Sequence, residues 1–339
     1  MTRIAAVDCG TNSIRLLISD ITRTSSAPSG FTAHEVTRRM EIVRLGQSVD
    51  ATGELAPDAI ERTRRALRNY VNIMKFENVE KVRMVATAAV RDAKNNREFF
   101  AMTAELLGEV ESGAQAEVIT GEEEAELSFL GAVQDLADDA GPFCVIDLGG
   151  GSTEFIVSEK GEELLGAHSA AMGCVRITER MMPSDPPSET EIEIADDFVA
   201  ERMSEVEKLV PIDKARTVVG CAGTFTTLSA LAQGLEHYDP EQIHGSVLRF
   251  AALRVLLEQV IHTSAAQRAQ NAVVHPGRAD VLGGGAVAVR GIMDMIERHN
   301  GVREFVISEK DILDGVIWKL AGTLPVLKYI SVPPAARSS

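Results

Sequence analysis

Two kinds of hydrophobic pattern alternate along this 339-residue chain. Short apolar runs bounded by turn residues predict β-strands. These runs lie at 4–7, 14–19, 35–45, 81–87, 143–147, 217–219 and 305–308, and a further strand ends at 118–119. Longer stretches with apolar residues at helical spacing predict helices. The predicted helices begin at Pro57, near 95, at 121 and at 189, and later ones cover 250–262, 286–298 and 312–320. Strands that alternate with helices indicate an α/β protein.

One segment of the chain occurs twice, 139 residues apart. The sequence VDCGTNSIRL at 7–16 aligns with IDLGGGSTEF at 146–155, and its Asp, Gly and Ser recur at identical offsets. A single glycine-bearing turn is common in hairpins, whereas two copies in one register are hard to obtain by chance. The repeat predicts two similar domains that face each other across a cleft, each with an acid at the end of a strand and a loop after it.

The residues of the two loops suit phosphate. Glycine and small hydroxyl residues let backbone N–H groups approach an anion closely. The candidate phosphate-binding residues are Gly10, Thr11, Asn12, Ser13, Gly149, Gly150, Gly151 and Ser152. Asp8 and Asp147 end the two strands, where a carboxylate can hold Mg²⁺ directly or through water. Glu154 follows the second turn, and a hairpin would bring it to the same metal or water as Asp147. Arg15 alternates with core-facing residues, so it either reaches the cleft as a further phosphate ligand or lies on the surface.

Five other segments offer chemistry or close packing. An acidic triplet at 122–124 begins a predicted helix, where it either complements the helix dipole or supplies a base for a hydrolytic water. Arg91 follows a strand and could clamp a transferring phosphoryl group. The stretch 220–224, which contains Gly223 and Thr224, is predicted as a third loop that closes over a nucleotide or further phosphates. The segments 277–280 and 283–285 fit either close helix packing or the approach of a substrate.

Charge and composition narrow the function classes. The net charge of −16 argues against nucleic-acid binding, so no DNA partner is expected. Residues 1–100 carry 16 Lys and Arg against 12 Asp and Glu, whereas the remainder carries 18 against 38. A polyanion would therefore prefer the N-terminal part of the chain or the cleft beside it.

No apolar run reaches the roughly 20 residues that span a bilayer, so no membrane partner is expected. Asp8 lies where a signal peptide needs its apolar centre, which favours a cytoplasmic protein. The four scattered cysteines are expected to be buried free thiols.

Together these segments resemble the Ppx/GppA family of exopolyphosphatases and guanosine pentaphosphate phosphohydrolases. The resemblance rests on 8–16, 86–93, 121–125, 146–154, 172–176, 220–224 and 278–281, which span nearly the whole chain. It implies two ribonuclease-H-like, actin-like domains of the ASKHA architecture facing across a cleft, with Mg²⁺ or another divalent cation as cofactor. It also implies Glu124 as the catalytic base, with Glu123 as the fallback if the register slips by one. Arg91 resembles the family's phosphate-contacting arginine, and Asp147 and Glu154 resemble its metal-associated acids.

The sequence departs from the family pattern in three places. Thr11 stands where serine is common, and the late Leu-Arg-Glu-Gly stretch is Ile312-Leu313-Asp314-Gly315, so one arginine is missing. The extra C-terminal helical domains of the long members, which help to bind distant polymer, are also missing, so the short two-domain form is expected. Its predicted parts are an actin-like domain at 1–124, a second one at 125–312, a helix at 313–330 that packs back on the first domain, and a disordered tail at 331–339.

The expected function is that of an exopolyphosphatase, in which water attacks the terminal phosphate of inorganic polyphosphate with the help of a metal. The first alternative is the same chemistry on guanosine pentaphosphate (pppGpp). A second is a sugar-kinase relative that transfers phosphate to an acceptor. A third is a non-catalytic module that binds polyphosphate or an alarmone. A homodimer is expected in each case.

Overall fold

The computed structural model describes residues 1–27, 29–162 and 164–323, and its strands form two sheets. The first sheet has the order β3-β2-β1-β4-β5. Its strands are β1 (Thr2–Cys9), β2 (Ser13–Arg23), β3 (Phe31–Ile42), β4 (Lys81–Ala86) and β5 (Ala116–Val118). The second sheet has the order β10-β11-β9-β6-β7-β8. Its strands are β6 (Phe143–Leu148), β7 (Thr153–Ser158), β8 (Gly166–Ala170), β9 (Thr217–Cys221), β10 (Val247–Arg249) and β11 (Glu304–Ile307).

The two sheets repeat one topology. In the first, β1, β2 and β3 form an antiparallel meander, and β4 and β5 continue the sheet in parallel beyond β1. In the second, β6, β7 and β8 form the same meander, and β9 and β11 continue it in parallel, with β10 added at the edge. The repeat seen in the sequence thus extends to whole domains. The predicted fold class, an α/β protein with two similar actin-like domains, is confirmed.

Thirteen helices connect and cover these strands in the described part of the chain. Those of the first half are α1 (Val49–Thr52), α2 (Pro57–Phe76), α3 (Ala88–Asp92), α4 (Arg97–Leu107) and α5 (Gly121–Ala132). Those of the second half are α6 (Cys174–Met181), α7 (Glu189–Leu209), α8 (Ala222–Gln233), α9 (Pro240–Ile243), α10 (Phe250–His262), α11 (Ala265–Arg268), α12 (Leu282–His299) and α13 (Ile312–Thr323).

Two segments predicted as irregular are helical. The stretch 220–224 is not a loop, because its first two residues end β9 and the remainder is the first turn of α8. Gly283, Gly284 and Gly285 lie inside α12, which begins four residues earlier than predicted. A Cβ atom on Gly284 would lie 2.5 Å from Thr178 Oγ1, and one on Gly285 would lie 2.7 Å from Thr224 Cγ2. These glycines therefore serve close packing of α12 against α6 and α8.

Each sheet is covered on one face by a helix from the other half of the chain. Helix α5 follows the first sheet in sequence but packs its Ala125 and Phe129 against Phe143 and Ile156 of the second sheet. Helix α13 follows the second sheet in sequence but packs Leu313 and its apolar neighbours against β1 and β2 of the first. Burying these apolar faces ties the two halves together.

Helices α5 and α13 cross at two glycines. A Cβ atom on Gly131 of α5 would lie 1.8 Å from the carbonyl oxygen of Asp311, and one on Gly315 of α13 would lie 2.0 Å from that of Leu127. Side chains cannot occupy these positions without moving backbone, so glycine sets the distance between the helices. This crossing brings the start of α13 beside the helix that carries Glu124.

The predicted domain limits, C-terminal segments, cysteines and membrane segments can be compared with the described residues. The predicted domain boundary between 124 and 125 lies within α5, and the domain limits stay predictions. The predicted helix at 313–330 is described only as far as Thr323, and the predicted disordered tail at 331–339 lies outside the described residues. All four cysteines are free and buried, as expected. None of the described helices is both long and apolar enough to cross a bilayer.

Replacing Gly315 by alanine is expected to destabilise the protein by at least about 2 kcal/mol, because the added methyl group must displace the backbone of α5. We expect the midpoint of thermal unfolding to fall by about 3 °C or more. The matched control is Gly322→Ala in the same helix, where an added Cβ meets no atom within 4 Å. That change should leave stability equal or raise it by up to about 1 kcal/mol. Equal melting temperatures for the two variants would contradict the glycine crossing.

Candidate active site

Both copies of the repeat line one cleft between the two sheets. The cleft wall contains every sequence-predicted site residue except Arg91: Asp8, Gly10, Thr11, Asn12, Ser13, Arg15, Glu124, Asp147, Gly149, Gly150, Gly151, Ser152, Glu154, Gly223 and Thr224. Residues from strands β1, β6 and β7 and from helices α5 and α8 therefore converge on the same space. The repeat predicted this convergence, and the geometry of each group defines what it can do.

The two loops have the same turn. The N–H of Gly10 donates to the carbonyl of Ser13 at 3.0 Å, and the N–H of Gly149 donates to that of Ser152, also at 3.0 Å. The loops also touch each other, because a Cβ atom on Gly151 would lie 2.7 Å from Thr11 Oγ1. Gly150 and Gly151 therefore serve packing against Thr11 of the other loop, in addition to any ligand that they bind.

Four N–H groups of these loops are available to an anion. Within the described residues, no hydrogen bond uses the N–H of Thr11, Asn12, Gly150 or Gly151. The carbonyl groups on the same loops are occupied, since Asn12 O accepts from two N–H groups and Gly150 O accepts from the start of α6. A loop whose carbonyls are bonded inward and whose N–H groups are free provides donors for phosphate oxygens.

Asp147 and Glu154 are direct neighbours across the β6–β7 hairpin. Ser128 Oγ donates to Asp147 Oδ2 at 2.5 Å, and Ser169 Oγ donates to Glu154 Oε1 at 2.8 Å. Burial, followed by the nearby charge of Asp311, raises the pKa of Asp147 to about 6. Burial and then the charges of Glu124 and Asp147 raise the pKa of Glu154 well above its usual value.

Glu123 and Glu124 point in different directions because they occupy successive positions around helix α5. Thr120 caps the helix by accepting from the N–H of Glu123, which fixes where the helix begins. Glu123 then points to Arg83, with which it forms a 2.8 Å ion pair, whereas Glu124 is 7% exposed and lines the cleft. Burial is the main cause that raises the pKa of Glu124 to about 8, while Arg91 lowers it.

The two predicted arginines are both held by carboxylates. Arg91 Nη1 donates to Glu124 Oε2 at 3.1 Å and to the carbonyl of Ile119 at 3.2 Å, so it lies behind the glutamate and does not line the cleft. Arg15 faces Asp8 across the β1–β2 hairpin and donates to its Oδ2 from Nε and Nη2, at 3.0 and 2.7 Å. The remaining Nη1 of Arg15 pairs with Asp311.

Three polar residues of the site were not assigned from the sequence. Arg278 lines the cleft and an adjoining chamber, and it has no ion pair among the described residues. Its segment, 278–281, belongs to the family resemblance, but the sequence pattern gives the arginine itself no role. Ser128 and Asp311 have no motif that marks them, and Asp311 reaches Arg15 across 296 residues of sequence. No local pattern predicts a contact of that span.

The carboxylates of the cleft fit a divalent cation that arrives with its ligand. Asp8, Glu124, Asp147 and Glu154 offer the hard oxygen donors that Mg²⁺ prefers, and their like charges raise one another's pKa. Among the described residues, no three His, Cys, Asp or Glu side chains form a preassembled metal cage. Mg²⁺ is commonly held through one or two carboxylates plus phosphate oxygens and water, which this arrangement allows.

Comparisons with known proteins agree with this geometry. The profile of the Ppx/GppA phosphatase family matches residues 23–322. Exopolyphosphatase 2 of Mycobacterium tuberculosis is 50% identical over 322 residues, which cover 95% of this chain and 99% of that protein. The crystal structure of an exopolyphosphatase-like protein is similar with a TM-score of 0.85 and 38% identity, covering 94% of this chain and 99% of the other. That of the Aquifex aeolicus member of the Ppx/GppA family has a TM-score of 0.74 and 31% identity, covering 94% and 97%.

Replacing Arg91 by glutamine is expected to raise the pKa of Glu124 further, because the guanidinium stabilises the ionised carboxylate. Carboxyl ¹³C NMR on glutamate-labelled protein without metal would measure this pKa, which lies at about 8 in the wild type. The control is Arg83→Gln, which removes the partner of Glu123 and should leave the Glu124 titration in place. A Glu124 pKa that stays constant or falls in Arg91→Gln would contradict the assigned contact.

Proposed function

This chain belongs to the Ppx/GppA phosphatase family, and we propose that it is an exopolyphosphatase, which removes the terminal phosphate of inorganic polyphosphate by attack of water. The observation that carries the proposal is the position of Glu124. It is a buried carboxylate with a raised pKa, and it faces the same cleft as two loops with unbonded N–H groups. A base beside a phosphate cradle is the minimum that hydrolysis of a phosphoanhydride requires.

The proposed reaction has one chemical step. The terminal phosphoryl group lies between the Asp8 and Asp147 loops, where the N–H groups of Thr11, Asn12, Gly150 and Gly151 bind its oxygens. Ionised Glu124 orients a water molecule and accepts its proton as the water oxygen bonds to phosphorus. The bridging P–O bond breaks at the same phosphorus, and the shortened chain leaves with the bridging oxygen. Positioning and charge stabilisation supply most of the acceleration in reactions of this kind.

The proposed cofactor is Mg²⁺, held by Asp147 and Glu154 with Asp8 on the opposite loop. When bound, it offsets the charge that builds up on the transferring phosphoryl group. Ser128 and Ser169 orient the two carboxylates of the second loop by occupying one oxygen of each. Arg91 acts through Glu124, because its guanidinium keeps that carboxylate more acidic than burial alone would.

Two features support a phosphate chain that extends beyond the cleft. Arg278 lies on the wall shared by the cleft and the adjoining chamber, and its guanidinium lacks an ion-pair partner among the described residues. Gly223 leaves room for this guanidinium, since a Cβ atom there would lie 2.3 Å from Arg278 Nη1 and would displace it. We propose that Arg278 binds the phosphate next to the scissile bond. The proposed setting is the cytoplasm, and a homodimer stays a prediction.

Replacing Glu124 by glutamine is expected to lower phosphate release by about 10²–10⁴-fold while the fold is kept, because the amide cannot accept the proton of water. The assay measures phosphate released with Mg²⁺ from short polyphosphate, long polyphosphate, guanosine pentaphosphate and ATP. The matched control is Glu123→Gln, one position earlier on α5 and paired with Arg83 outside the cleft, which should retain nearly full activity.

The same assay separates the alternatives. Turnover of Glu124→Gln that matches the wild type would refute the assignment of the base. Preference for guanosine pentaphosphate over polyphosphate would establish the nucleotide activity, and binding without release of phosphate would support a non-catalytic module. Consumption of ATP that depends on an added acceptor would indicate a kinase.

Replacing Arg278 by glutamine is expected to raise the KM for polyphosphate about tenfold or more with a smaller change in kcat, because a charge-assisted hydrogen bond to the substrate is lost. The control is Arg249→Gln, at an exposed arginine that ends β10, which removes the same charge away from the cleft. Equal KM values for the two variants would exclude direct binding by Arg278.

A further inference from the structure

Arg15 is the cleft arginine with the least freedom. Its Nε and Nη2 both donate to Asp8 Oδ2, and its Nη1 pairs with Asp311 Oδ2. Its side chain is 18% exposed, and those of the two acids are 5% and 4% exposed. All three nitrogens of the guanidinium are thus engaged by carboxylates, and the group of three side chains carries a net negative charge.

Asp311 cannot follow Arg15 toward a ligand. It precedes α13, where its Oδ1 accepts from the N–H of Leu313 at 3.1 Å and its own N–H donates to Asp314 Oδ2 at 3.1 Å. This reciprocal pair has the form of a capping box and fixes the side chain at the start of the helix. The carbonyl of Asp311 lies against Gly131 of α5, so its backbone is fixed as well.

Arg278, the other arginine that lines the cleft, is not held by carboxylates in this way. Arg278 has no ion pair among the described residues, and burial lowers the pKa of its guanidinium because the loss of water outweighs the nearby groups that favour its charge, Glu309 among them. A desolvated cation without a partner gains more from an incoming phosphate than one that already holds two carboxylates. The two arginines that face the cleft therefore have different roles.

We propose that Asp311 determines the affinity of the site for its polyanion: it holds Arg15 on Asp8 and away from the phosphate chain, and it leaves the chain to Arg278 and the loop N–H groups. Arg15 is then a positioning residue for Asp8. The inference rests on the proposed function in taking a phosphate chain as the ligand. It departs from the expectation that Arg15 binds phosphate itself.

The proposal predicts that Asp311→Asn binds polyphosphate more tightly than the wild type. Asparagine caps a helix about as well as aspartate, so the fold is expected to persist, but the neutral amide holds Arg15 less firmly. Calorimetry with tripolyphosphate should give a dissociation constant about tenfold lower, the effect of one charge-assisted hydrogen bond gained by the ligand.

Two further variants distinguish released Arg15 from a general change of charge. Asp314→Asn removes an equally buried carboxylate one turn later, which pairs with Arg38 and does not touch Arg15. It should leave the dissociation constant within about twofold of the wild type. The double variant Arg15→Gln/Asp311→Asn should return to the wild-type value, because the gain requires Arg15. Tightening in Asp314→Asn equal to that in Asp311→Asn, or tightening that persists in the double variant, would overturn the proposal.

A measurement on the wild type avoids any variant that fails to fold. The Nε–H NMR signals of ¹⁵N-labelled arginine should shift on addition of tripolyphosphate for Arg278 and stay in place for Arg15. A shift of the Arg15 signal as large as that of Arg278 would overturn the proposal, as would the absence of tripolyphosphate binding. Phosphate release is recorded in parallel, so tighter binding without hydrolysis would reject the proposed activity and keep this inference.

Discussion

The contact between α5 and α13 at Gly131 and Gly315 is the constraint on which the site depends. Helix α5 carries Glu124 and Ser128, and α13 begins directly after Asp311. At this crossing, backbone meets backbone without an intervening side chain, so neither helix can slide without breaking the contact. The crossing fixes Glu124, the proposed base from one half of the chain, relative to Asp311, the acid that holds Arg15.

Because each of the two helices packs on the sheet of the other half of the chain, their contact also fixes the position of the two sheets relative to each other. Because α5 packs on the second sheet and α13 on the first, the two loops of the repeat are held by helices that also hold each other. Separating the sheets would expose both apolar faces at once. The burial that stabilises the fold therefore also holds the two loops of the repeat in contact, where Thr11 meets Gly151.

The cleft concentrates charge that the fold alone does not balance. Five carboxylates, those of Asp8, Glu124, Asp147, Glu154 and Asp311, are buried near one another, and among the described residues only Arg15 and Arg91 pair with them. Burial, and after it the nearby like charges, raise the pKa values of Glu124, Asp147 and Glu154. Such an arrangement is typical of a functional site, because a cation that enters relieves the repulsion.

The features that the sequence could predict are those with a local cause. The hairpins follow from the repeat, so the pairing of Asp147 with Glu154 was accessible, and so was the common cleft. The distinction between Glu123 and Glu124 was not accessible from the residues alone, because it depends on where Thr120 starts the helix. Helix α8 is not predicted from the sequence, because its own apolar and small residues are distributed all around the helix. They therefore leave no periodic pattern of apolar and polar positions. Asp311 and Arg278 depend on contacts between distant segments.

Among the positions at which the two copies of the repeat differ, the one opposite the conserved acid gives the two loops different charge environments. Both place an acid at the end of a strand and a second residue directly opposite it, but the second residue is Arg15 in the first copy and Glu154 in the other. Asp8 therefore already has a cationic partner, whereas Asp147 faces another carboxylate and, among the described residues, accepts a hydrogen bond only from Ser128. A divalent cation gains more from two uncompensated carboxylates than from one that an arginine neutralises. For this reason the second loop is the side of the cleft where a metal would bind, and the first loop contributes its backbone N–H groups.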